Sequence, residues 1–208
     1  MNLFLGVLLA AQLANPEPAP RFNLIAILTD DQAGWAFHAD GNPDAITPNL
    51  DRLAALGARF TRAFTASGVC SSSRTADLTG LFPIQAGMTD APYKRDPDEG
   101  LPLGVPTWPK ILKQHGYVTG LIGKWHLGRT VANFPTRYGF DYFFGFLRGA
   151  NRPVDPVFLR DGHPTVVKGP EPDVVMDDAL RFIGKNRTNS FALLAAFPGA
   201  ARAARPRS

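Results

Sequence analysis

One stretch of the chain, Gly68 to Gly80, reads GVCSSSRTADLTG and contains the only cysteine, Cys70, beside three serines and four positions before Arg74. A short helix is predicted from Ser73 to Leu78, closed by Gly80, so Cys70 is placed just before a helix N-terminus whose free N–H groups and dipole favour an anion. That setting binds an oxyanion and depresses a thiol pKa. The plainer alternative is a small buried cysteine beside a serine cap. Asp30 and Asp31 follow the apolar run Arg21 to Leu28, RFNLIAIL, and offer two hard oxygen ligands for a divalent cation such as calcium or magnesium. As residues after a strand they serve equally well as turn formers. In GKWHLG, Gly123 to Gly128, Lys124 and His126 stand two residues apart after a predicted strand, where extended geometry aims both at one face. A fixed cation beside a proton shuttle suits a negatively charged substrate. The alternative is a surface lysine with a partly buried histidine.

All three groups fall at the ends of candidate parallel strands, the edge at which open α/β sheets bind ligands. The first strand is Arg21 to Leu28. Thr47-Pro48 begins a helix with Leu50, Leu53 and Leu56 as its apolar stripe and Gly57 at its end. Ala58 to Ala66, ARFTRAFTA, reads as a second strand leading to Cys70. A helix over Thr107 to His115 is ended by Gly116, and Tyr117 to Ile122 forms the next strand. Val175, Ala179, Leu180 and Ile183 mark an amphipathic helix over Asp173 to Lys185, before a buried strand from Phe191 to Phe197. Phe82 to Pro106 and Asn151 to Pro172 are proline- and glycine-rich and read as long loops. The fold class is α/β, a mostly parallel central sheet flanked by helices.

Composition narrows the function classes. With 208 residues, 45% hydrophobic and 19% charged, the chain suits one sizeable core rather than a disordered polymer. Its net charge of +4 owes much to the arginines of the closing ARAARPRS, and no basic stripe interleaved with aromatics occurs elsewhere, which speaks against nucleic acid as a partner. Residues 1–20 read as a signal peptide and short linker: an apolar run from Leu3 to Ala11 precedes small and proline-rich residues, although no Lys or Arg precedes the run. That run is too short for stable membrane insertion, and the expected location is secreted, lysosomal or periplasmic. In an exported chain, Asn186-Arg187-Thr188 is a potential glycosylation sequon. One cysteine excludes an intramolecular disulfide. Residues 21–198 make up the folded region, and 199–208 read as a low-complexity Ala/Arg tail.

Taken together, these residues resemble the N-terminal portion of the type I sulfatases, the arylsulfatase-like branch of the alkaline-phosphatase-like superfamily. NLIAILTDDQ is similar to that family's first strand and metal pair, TPNLDRLAALGARFTRAFTAS to the segment before its nucleophile, CSSSRTADLTG to its signature and GKWHLG to its second signature. RYGFDYFFGF and the helix and strand ending at Phe197 are also similar. The resemblance implies hydrolysis of a sulfate monoester on a small molecule or glycan, with Cys70 converted to formylglycine by a formylglycine-generating enzyme. The aldehyde's hydrate has one hydroxyl to attack sulfur and a second to expel sulfate, which an ordinary serine ester cannot do. It further implies Asp30, Asp31 and modified Cys70 as ligands of Ca2+, with Mg2+ as the other candidate. Arg74 would hold the diol and the metal-site carboxylates, Lys124 would contact the nucleophile and sulfate oxygens, and His126 would be the base. Two departures stand out. Where the family has Pro or Ala two residues after the cysteine, this chain has Ser72. The family's later Pro-His, Asp-Asn pair and further lysine have no counterpart after Phe197-Pro198, so the chain is expected to carry an incomplete, truncated catalytic domain. A phosphate or phosphonate monoesterase of the same superfamily and a non-catalytic fragment are the competing readings.

Overall fold

The computed structural model describes residues 21–92 and 99–199. The expected signal peptide and most of the Ala/Arg tail lie outside the described residues. In chain order the elements are β1 (Leu24–Thr29), α1 (Pro48–Leu56), α2 (Cys70–Thr79), α3 (Trp108–Gln114), β2 (Val118–Lys124), β3 (Tyr142–Phe146), β4 (Val157–Arg160), β5 (His163–Val166), α4 (Glu171–Asn186) and β6 (Phe191–Phe197). They build a six-stranded sheet in the order β1-β6-β2-β3-β4-β5. The pairs β1–β6, β6–β2 and β2–β3 are parallel, whereas β3–β4 and β4–β5 are antiparallel.

Strand alternation divides the core between the two faces of the sheet. Leu121, Phe143 and Ala196 join Leu78 of α2, Leu101, Trp125, Tyr138 and Phe140 in one buried cluster. Their sequence neighbours Ile122, Phe144 and Ala195 point the other way, into a cluster with Phe158, Phe191 and the α4 residues Val175, Ala179 and Phe182. A sheet covered on both faces needs continuous apolar runs rather than alternating ones, and VTGLIGK, YFFGF and FALLAAF are such runs.

Several expectations change. Ala58 to Ala66 forms no strand; Phe60 and Phe64 are exposed, and among the described residues no strand pairs with β1 on the side away from β6. The α1 stripe of Leu50, Leu53 and Leu56 is exposed, as is Leu180 of α4. The segment expected as a loop from Asn151 to Pro172 contains the β4–β5 hairpin, whose two-residue turn Asp161-Gly162 has positive φ at both positions (48° and 93°), the backbone that a tight twisted hairpin requires. The sequon asparagine, Asn186, is buried, and its side-chain amide donates to the Phe182 carbonyl at 2.9 Å, so the folded protein does not present it.

Two glycines set how closely the strands approach beneath the site. Gly123 of β2 is in register with Gly145 of β3, and a Cβ added at Gly145 falls 1.9 Å from the Gly123 carbonyl oxygen. Gly123 itself has φ of +107°, with the Ala196 carbonyl oxygen 2.0 Å from where a Cβ would stand. A methyl group cannot be fitted at either place without separating strands. Gly145→Ala is therefore expected to destabilise the fold by about 3 kcal/mol, measured as a lower midpoint of urea denaturation; an unchanged midpoint would contradict the close approach.

Candidate active site

The parallel strands bring two charges together from far apart in sequence. Asp30 follows β1 and Lys124 ends β2, with β6 between them. Two strand spacings amount to roughly 10 Å, a gap closed by the extended lysine stem, whose ammonium donates to Asp30 Oδ2. Arg74, in the second turn of α2, approaches the same oxygen with Nη2 at 3.9 Å and donates from Nη1 to the Lys124 carbonyl at 2.9 Å. Both cations are buried, Lys124 to 3% and Arg74 to 6% exposure. The Nε of Arg74 has no hydrogen-bond partner.

Cys70 is the first residue of α2 itself, not the residue before the helix, because α2 begins three positions earlier than expected. No strand leads into it. Instead, Thr65 is held to the first turn of α2 by a 2.6 Å hydrogen bond between its hydroxyl and that of Ser73. Cys70 Sγ lies 3.1 Å from His126 Nδ1. His126 does not continue the strand as extended geometry requires: its φ is +61°, and the turn, not strand alternation, aims the ring. Backbone pairing continues beyond β2 on either side of this turn, with Trp125 N–H donating to the Phe146 carbonyl at 3.0 Å and His126 N–H to that of Leu147 at 3.2 Å. Asp31, next to Asp30, also has a left-handed backbone, φ +54°. Strained backbone of this kind concentrates at functional sites.

Electrostatics follow from burial and from the crowd of cations. Desolvation, followed by the charges of Lys124 and Arg74, lowers the His126 pKa to about 4, against a smaller upward push from Asp30. The imidazole is therefore neutral at pH 7 and able to accept a proton. Burial lowers the Arg74 pKa, an effect countered by Asp30, Cys70, Asp77 and Asp31. Asp77 is raised by desolvation and lowered in part by Arg74.

Asp30, Asp31, Cys70, Ser73, Arg74 and Asp77 line an open cleft of about 520 Å3, which Lys124 and His126 adjoin through their contacts with Asp30 and Cys70. Among the described residues no group of three or more His, Cys, Asp or Glu side chains is gathered closely enough to hold a metal ion. Asp30, Asp31 and Cys70 share the cleft without converging, since the Asp30 carboxylate is engaged by Lys124. Ser72, the position at which the sequence departs from the family pattern, is buried on α2 with its Oγ unpartnered.

Two neighbours of the site escaped the sequence reading. A Cβ at Gly149 would stand 2.7 Å from His126 Cε1 and Nε2, so the imidazole rests against bare backbone. The run FFGFLRGAN signals a glycine there but not what it touches. Glu171, at the start of α4, is buried with Oε1 unpartnered. Desolvation raises its pKa to about 7, against the pull of Lys124.

Comparison with known proteins gives a consistent result. A family model described as Sulfatase matches residues 22–200. Arylsulfatase H of Canis lupus familiaris is 41% identical over 138 residues, covering 60% of this chain and 24% of that protein. N-acetylglucosamine-6-O-sulfatase of Bacteroides thetaiotaomicron is 35% identical over 190 residues, covering 89% of this chain and 32% of that protein. Among solved structures, Ps i-CgsB in complex with k-i-k-neocarrahexaose superposes with a TM-score of 0.83 at 27% identity, covering 87% of this chain and 46% of that one. Another, in complex with its substrate D-glucosamine-2-N,6-O-disulfate, gives a TM-score of 0.74 at 32% identity, covering 86% of this chain and 34% of that one. The chain spans about a quarter to a third of the length of these curated relatives.

The folded Glu171 carboxyl holds its proton up to about pH 7, whereas its ordinary value is 4.5. The folded state thus binds more protons than the unfolded state between those two values, and this group's contribution to stability falls as pH rises through the window. Glu171→Gln, which keeps the neutral form, is expected to melt higher than the parent at about pH 8 and to match it at about pH 4. Equal shifts at both pH values would show a packing effect instead.

Proposed function

Because this chain belongs to the sulfatase family, whose model matches residues 22–200, we propose that it hydrolyses a sulfate monoester to an alcohol and sulfate through a nucleophile made from Cys70. The observation that carries this reading is the meeting of Cys70 with a neutral His126 at 3.1 Å, beside Lys124 and Arg74, which share a single carboxylate. A formylglycine-generating enzyme is the partner that would convert Cys70. The resulting hydrated aldehyde supplies one hydroxyl as nucleophile and a second that releases sulfate by collapse.

Each residue then has a task. His126 Nδ1, the ring atom facing position 70, accepts the proton of a hydroxyl there. Lys124 and Arg74 hold sulfate oxygens and the charge that grows on them. The unpartnered Arg74 Nε is a donor awaiting an acceptor in a buried setting, where an unmade hydrogen bond is costly. Calcium or magnesium suits the donor chemistry of the cleft: Asp30 and Asp31 are hard oxygen ligands, and the Asp31 carboxylate is exposed. These two carboxylates with modified residue 70 would hold the ion on being drawn together from the separate positions they take in the cleft, and the ion would supply positive charge against sulfate. Lys124 would share Asp30 with it. The substrate class favoured is a sulfated saccharide, given the glucosamine disulfate and the oligosaccharide in the complexes of similar proteins. Entry into an export pathway, to a secreted, lysosomal or periplasmic location, agrees with the apolar N-terminal run. Among the described residues no helix is long and apolar enough to cross a membrane.

Peptide mass spectrometry after expression with a formylglycine-generating enzyme tests the nucleophile: position 70 is expected to lose sulfur and gain an aldehyde oxygen. An unmodified thiol defeats the proposal and favours the non-catalytic reading. With matched aryl sulfate and aryl phosphate esters, the sulfate is expected to turn over faster, and a chelator to abolish the rate; the reverse preference points to a phosphate monoesterase. Gly149→Ala, which pushes the imidazole from its place, is expected to lower kcat about 100-fold with a smaller change in KM.

A further inference from the structure

The His126 imidazole has a second neighbour besides Cys70. Its Cε1 and Nε2 edge rests on Gly149, and the residues on either side of that glycine, Arg148 and Ala150, line another open pocket, of about 270 Å3. Arg129, Arg148 and Asn151 contribute its polar lining, and Phe146, Leu147 and Leu159 its apolar floor. Asn151 is occupied in shaping the loop: its amide donates to the Val157 carbonyl at 3.1 Å and its side-chain oxygen accepts from the Arg152 N–H at 2.8 Å. Charge on this loop is one-sided. Between Leu147 and Pro156 the cations are Arg148 and Arg152, both exposed. The one acid, Asp155, is taken up by Lys168 at 3.1 Å and the Gly169 N–H at 2.9 Å.

An apolar floor under a cationic rim matches a sugar ring with an anion at its edge, because the ring presents C–H groups on its face and guanidinium groups pair with oxyanions in a forked geometry. The pocket adjoins the site through Gly149, on which the His126 ring rests and whose two sequence neighbours line the pocket. We propose that this pocket is an anion subsite of the catalytic centre, holding a second anionic substituent, sulfate or carboxylate, on the sugar whose sulfate ester meets position 70. The substrate class is then a multiply charged sulfated saccharide, an assignment that rests on the sulfate-ester reading above.

Equilibrium titration of the full chain at low ionic strength tests the proposal with three sugars: glucosamine 6-O-sulfate, glucosamine-2-N,6-O-disulfate, and N-succinyl glucosamine 6-O-sulfate, which replaces the second sulfate with a carboxylate. The disulfate is expected to bind about tenfold more tightly than the monosulfate. Arg148→Gln is expected to shrink that ratio to about twofold, and Arg148→Lys to restore part of it. An advantage shared by the succinyl sugar assigns the pocket to anions generally, and one confined to the disulfate assigns it to sulfate; either upholds the subsite. Equal affinities for all three sugars in the parent, or an Arg148→Gln variant that keeps the tenfold ratio, overturns it. Failure of the parent to bind both the monosulfate and inorganic sulfate overturns the sulfate-ester reading itself, an outcome distinct from loss of the ratio alone.

Discussion

One carboxylate shared by two buried cations governs this site. Lys124 and Arg74 are both almost wholly removed from water, and Asp30 is the carboxylate between them. Burying a charge costs several kcal/mol unless a partner and hydrogen bonds offset it; Asp30 supplies that partner to both cations, and Asp77 and Asp31 also act on Arg74. Desolvation, followed by the charges of Lys124 and Arg74, keeps the neighbouring His126 unprotonated. The paired cations and the proton-accepting imidazole are thus two results of the same burial.

That arrangement depends on the order of the strands. Asp30 and Lys124 stand at the ends of β1 and β2, and the strand between them, β6, is the last of the six in sequence. The ion pair forms only when Phe191–Phe197 has paired with both neighbours, so the site completes late relative to the chain order of its residues. Close backbone approach refines the placement. Gly123 and Gly145 let β2 and β3 lie together just before Lys124, and Gly149 leaves room for the imidazole. The left-handed turns at Asp31 and His126 redirect side chains that a continuing strand would have sent elsewhere.

Legibility varied along the chain for identifiable reasons. The strand over Phe191–Phe197 has the same bounds in sequence and structure, because a run buried on both faces is apolar throughout and is here bounded by Ser190 and Pro198. Ala58 to Ala66 is apolar at only five of nine positions, the others being Arg59, Thr61, Arg62 and Thr65, and forms no strand; among the described residues β1 has a neighbour only on its β6 side. The β4–β5 hairpin was missed although Asp161-Gly162 is a strong turn signal; the prolines around it outweighed the signal. The start of α2 was placed too late because Cys70 and its serines are weak helix formers, whereas packing buries Ser71, Ser72 and Thr75 on one side of the helix.

By itself the sequence determined the α/β class, the signatures around Cys70 and Lys124, and the chemical kinds of group available: one thiol, adjacent carboxylates, two cations and an imidazole. Those are properties of residue type and local spacing, and they survive without knowledge of the fold. Only the tertiary structure decided that Lys124 reaches Asp30 across β6, that a left-handed turn brings His126 Nδ1 to Cys70, and that Gly149 stands against the same ring. Distances between residues 56 or 94 positions apart are set by strand order and backbone turns, which no local pattern encodes.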